Sequence, residues 1–131
     1  MKFDKNFFVK QSFTAQAKKD LSSSLSRELE IALSSDIPEV RFHFAYMALL
    51  KAGIYMIARE GYRIKSAPGH HTAIIESLSR LMADKEIAVV GDKMRRDRNL
   101  DLYSFRAAVS DTENEEHLKF INKICKRVLA L

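Results

Sequence analysis

The chain has 131 residues, a length that supports one domain and not two. Apolar residues make up 47% and charged residues 30%, and four Gly with two Pro is too little punctuation for a protein of many short strands. The net charge of +5 permits contact with nucleic acid or another acidic partner without establishing it.

The single Cys, Cys125, excludes an internal disulfide and reads as a small apolar residue on a helix face. No Cys/His spacing suggests zinc, and a reducing, cytoplasmic location is the default. The opening MKFDKNFFVKQ carries charges inside its apolar run, unlike a signal peptide. The weakly polar run FAYMALLKAGIYMIA is broken by Lys51 and reads as a buried helix, not a membrane span.

Helical periodicity dominates from Thr14, a candidate N-cap. Leu21, Leu25, Leu29, Ala32 and Leu33 form one stripe of a first helix. A second helix starts at DIPE, with Asp36 as cap, Glu39 reaching back and Pro38 in the first turn, and stops at Gly61. Its apolar residues cover nearly the whole circumference, the mark of a central helix.

The stretch GYRIKSAPG reads as a flexible loop. A third helix follows from about His70, with Ile74, Leu78 and Leu81 in register. In the fourth, KEIAVVGDKMRRDRN, residues Ile87, Val90, Gly91 and Met94 line up, although Gly91 costs up to ~1 kcal/mol against Ala. LDLYSFRAAVS shows no clear period, yet Leu100, Leu102 and Phe105 need burial. The last helix begins near Ser110, with acidic residues early and Lys123, Lys126 and Arg127 late, matching its dipole. The elements predict an all-α, up-and-down bundle of four to five helices in a single domain, residues 1–131.

Two clusters could carry chemistry. Arg95, Arg96 and Arg98 either complement the C-terminal end of the fourth helix or bind phosphate through their guanidinium forks. Arg63 and Lys65, grouped with Arg95 and Arg96 as phosphate-binding candidates, lie on the loop before Pro68-Gly69, which leads into His70 and His71 at a helix N-terminus. Free N–H groups there attract anions, and imidazole exchanges protons near neutral pH. Adjacent histidines point in different directions on a helix, so at most one would enter a given site. His43 and His117 read as solvated or satisfied helix residues, and Tyr46 as core. No metal or cofactor signature is present.

The helical pattern, with KAGIYMIAREGYRIKSAPGHH in its middle and RRDRN before a Tyr, resembles the HEPN superfamily (higher eukaryote and prokaryote nucleotide-binding domains). It looks most like small stand-alone bacterial and archaeal members, some of them toxins of toxin–antitoxin or phage-defence modules. The likeness covers about residues 12 to 130.

The resemblance implies a homodimeric bundle and, in active members, a metal-independent ribonuclease site. That site is an Arg followed by a polar residue and, with four to six residues between it and the Arg, a His. Arg98 and Asn99 match the first two. The His has no counterpart: Tyr103, Ser104 and Phe105 stand where it would fall. With an ordinary pKa near ~10, Tyr103 is a poor base. Either it orients or donates a proton while another group acts as base, or His70 or His71 folds over the Arg cluster to supply the imidazole.

Three readings follow. The first is an RNA- or nucleotide-binding protein with endoribonuclease activity. The second is a non-catalytic module pairing with itself or with a nucleotidyltransferase-like antitoxin. The third is a helical dimer whose arginines only cap and make salt bridges.

Overall fold

The computed structural model describes the backbone of residues 2–104 and 110–131, and the side chains of all of these except 100–104. The elements are β1 (Phe8–Lys10), α1 (Ala15–Ser34), α2 (Pro38–Arg59), β2 (Tyr62–Ile64), α3 (His70–Leu81), α4 (Lys85–Ser104) and α5 (Asp111–Leu129). The chain is therefore mostly helical.

Thr14 caps α1, its hydroxyl accepting from Ala17 N at 3.0 Å. Leu25, Leu29 and Ala32 are buried along the helix, but Leu33 departs from the expected stripe and is 44% exposed. It sits with Leu29 and Leu129 at a groove between α1 and α5, where the two helices leave it uncovered.

The start of α2 differs from expectation. Ile37 holds the N-cap position without a side-chain cap bond, and Pro38 is the first helical residue. Asp36 does not cap: the Ile37 N–H donates to Ser35 Oγ at 3.1 Å instead. Pro38 has no N–H to satisfy, which lessens the need for a cap. The helix is central as its composition requires. It packs against α1, α3 and α5 and buries residues on several sides, among them Tyr46, Leu49, Leu50, Met56 and Ile57.

At Gly61 the chain turns with φ of +83°, a conformation that favours glycine. The expected loop then becomes β2, antiparallel to β1 with Val9 opposite Arg63. Strands of three residues are too short to show a period of two. Phe3 stacks on Tyr62 at 4.3 Å and meets Phe8 edge-on at 5.0 Å, closing this small sheet over the core.

Two helical glycines let the next elements approach closely. A methyl at Gly53 on α2 would lie 2.5 Å from Ile74 Cγ2 and 3.1 Å from the Ile74 carbonyl oxygen on α3. A methyl at Gly91 on α4 would lie 2.6 Å from Ile75 Cγ2. The propensity cost of Gly91 is thus offset by close packing of α4 on α3.

α5 starts where its sequence suggests. Ser110 Oγ accepts from Glu113 N at 3.2 Å, and acidic and basic residues occupy opposite ends. His117, expected to be solvated, is instead buried at 7% exposure, because the face of α5 against α2 runs through Asn114, His117, Leu118, Ile121 and Cys125. Asn114 ties α5 to the start of α2 by donating to the Pro38 carbonyl at 3.0 Å. Among the described residues, no helix is long and apolar enough to cross a membrane.

Candidate functional site at the start of the third helix

The arginine cluster is not at a helix end. α4 continues to Ser104, so Arg95, Arg96 and Arg98 lie within the helix and do not meet its free C-terminal carbonyls. That rules out the capping explanation and leaves the helix faces to decide each residue's role.

Arg95 and Arg98 are one turn apart and share a face. Both line a cleft of about 490 Å³ together with Asn99, His70, His71 and Thr72. The Ser66–Gly69 turn closes one side. Arg96 is 63% exposed, pairs with Asp92 at 3.2 Å and does not line the cleft. Arg95 also pairs with Asp92, at 2.9 Å. Its Nε is buried and has no hydrogen-bond partner among the described residues.

The opposite wall is the N-terminus of α3. Gly69 adopts φ of +82° as the residue before the helix and provides no side-chain cap. Its carbonyl accepts from Ala73 N, and His70 N donates to Ala67 O, while the N–H groups of His71 and Thr72 make no hydrogen bond among the described residues. Free N–H groups at a helix start carry partial positive charge, so both walls favour an anion.

Both histidines line the cleft, against the expectation that at most one would enter. The first helical turn begins at His70, and its ring folds back: His70 Nδ1 is 2.7 Å from the Ala67 carbonyl. The His71 ring turns toward α2, with Nδ1 3.1 Å from the Tyr46 hydroxyl. The two rings lie 4.5 Å apart, inclined by 65°.

Tyr46 is a residue that sequence reasoning places only in the core. It is wholly buried, and the Arg98 guanidinium carbon lies 5.8 Å from its ring centroid. Burial pushes the Tyr46 phenol above its ordinary range, although Arg98 and then Arg95 pull it down. Burial also lowers the His71 imidazole, with His70, Arg98 and Arg95 acting in the same direction. His71 is therefore neutral near pH 7 and Tyr46 keeps its proton.

The other candidates lie elsewhere. Arg63 is on β2 and donates from Nε to Gln11 Oε1 at 2.9 Å. Lys65 donates to the Lys5 carbonyl at 2.8 Å. Both tie the β2 segment to the N-terminal strand region, and neither lines the cleft, so the structure does not bring them to Arg95 and Arg98. The side chain of Tyr103, like Leu100, Leu102 and Phe105, lies outside what is described. Among the described residues, no group of three or more His, Cys, Asp or Glu is gathered as a metal site would need.

No family model, no curated protein and no solved structure matches this chain.

Proposed function

We propose that the cleft between α3 and α4 binds a phosphate group of RNA or of a nucleotide, in the manner that the HEPN resemblance suggests. The observation that carries this reading is the convergence on one cleft of two guanidinium groups, two imidazoles and unbonded helix N–H groups. Guanidinium forks match phosphate oxygens, and the helix start adds donors without another charged side chain. Arg98 and Asn99 would act at the phosphate. His70 or His71 would stand where the family pattern leaves Tyr103, so that metal-independent cleavage stays within reach of these residues.

The test is incubation of single-stranded RNA with the pure protein in the presence of a chelator. Cleavage by the natural chain and its loss in Arg98→Ala support ribonuclease activity. RNA left intact across a range of pH counts against it. The absence of His at positions 103 to 105 favours a second reading, in which the same cleft binds without cleaving. The module then pairs with a second copy or with a nucleotidyltransferase-like partner. Binding without cleavage in the same assay selects this reading.

A further inference from the structure

Two neighbouring histidines ordinarily offer the same chemistry, but here their Nδ1 atoms meet partners of opposite kind. The partner of His70 is the Ala67 carbonyl at 2.7 Å, which only accepts. His70 must therefore carry a proton on Nδ1, and in the neutral ring Nε2 keeps a lone pair.

The partner of His71 is the Tyr46 hydroxyl at 3.1 Å, which can do either. Burial decides between them. Tyr46 is wholly excluded from solvent, so its O–H cannot turn to water. Among the described residues the only acceptor it meets is His71 Nδ1. A buried hydroxyl proton left without an acceptor carries an uncompensated desolvation cost, so the phenol donates and the neutral His71 carries its proton on Nε2.

We propose that Tyr46 is a positioning residue that fixes His71 as the Nε2–H tautomer, opposite to His70, so that the cleft presents one imidazole donor beside one imidazole acceptor. The pair then suits a ligand with an anionic oxygen next to a hydroxyl or a bound water. His71 Nε2–H donates to the anion, and His70 Nε2 accepts from the O–H. The use of the pair rests on the phosphate reading above, whereas the tautomers do not.

Heteronuclear NMR of the imidazole nitrogens tests the assignment at a pH above the ordinary imidazole value of 6.5, with inorganic phosphate as the probe. The expected spectrum shows a proton on Nδ1 of His70 and on Nε2 of His71. In Tyr46→Phe, which keeps the ring and removes the hydroxyl, His71 becomes a mixture of tautomers while His70 is unchanged. Phosphate added to the natural protein shifts the His71 Nε2–H signal. A proton on His71 Nδ1, one tautomer shared by both rings, or a His71 unaffected by Tyr46→Phe overturns the proposal. If the tautomers are as stated and phosphate moves neither ring, the phosphate reading fails and the assignment stands.

Discussion

The Tyr46 hydroxyl reaches Nδ1 of His71 at 3.1 Å across 25 residues of sequence, joining the central helix to the start of the third. The bond places a wholly buried phenol directly beneath a cleft that Arg95 and Arg98 line from the other side. The packing that holds the helices this close is thus part of the site.

Gly53 tests that packing. A methyl at this position meets the β-branched Ile74 side chain and its backbone oxygen, neither of which can swing aside. Intrinsic helix propensity alone would make Gly53→Ala stabilising by up to ~1 kcal/mol. The clash instead predicts a loss of about 1–3 kcal/mol, read from the urea midpoint. A midpoint equal to or above that of the natural chain contradicts the close approach.

The half-buried His71 and the buried His117 contribute to the acid side of the stability curve. His71 and His117 are both lowered from 6.5, in each case mainly by burial, with Glu113 partly opposing the shift at His117. The unfolded chain therefore binds protons that the folded chain refuses, and stability falls as pH drops below about 6.5. Denaturation midpoints on either side of that value check the sign. The fall should be smaller in His117→Gln. A midpoint that rises on acidification contradicts it.

Cys125 should be inert. Its side chain is fully buried on α5, and burial pushes the thiol up to about 12. The thiolate is the reactive form, so a thiol reagent near neutral pH should label the protein only after denaturant is added. Prompt stoichiometric labelling of the native chain would place Cys125 at the surface.

Periodicity over long stretches made the helices legible. The N-caps at Thr14 and Ser110 and the central character of α2 follow from local residue choices. What remained hidden depends on neighbours distant in sequence. The β1–β2 pair joins two three-residue segments across the whole of α1 and α2, with no pattern of their own. His117 reads as solvated beside Glu113 and Glu116, and only the docking of α5 on α2 buries it.

The site divides in the same way. Residue type alone marks Arg95, Arg98, Asn99, His70 and His71 in the sequence, and the structure brings all five to one cleft. Charge and proximity to the Pro-Gly turn group Arg63 and Lys65 with them, but their side chains bond to Gln11 and Lys5 on the N-terminal segment instead. Tyr46 gave no signal, since a Tyr within an apolar helix is ordinarily core. Its role appears only when α2, α3 and α4 are assembled.

The measurement closest to the central claim is an equilibrium titration of a single-stranded RNA oligonucleotide at two salt concentrations, with the natural chain and Arg98→Ala. Losing a charge-assisted contact worth about 1.5–3 kcal/mol predicts roughly tenfold to hundredfold weaker binding. The salt dependence should also drop by about 0.7 in the logarithmic slope, the share of one phosphate on a single strand. Equal affinity and equal slope in the two proteins would contradict phosphate recognition by this cleft.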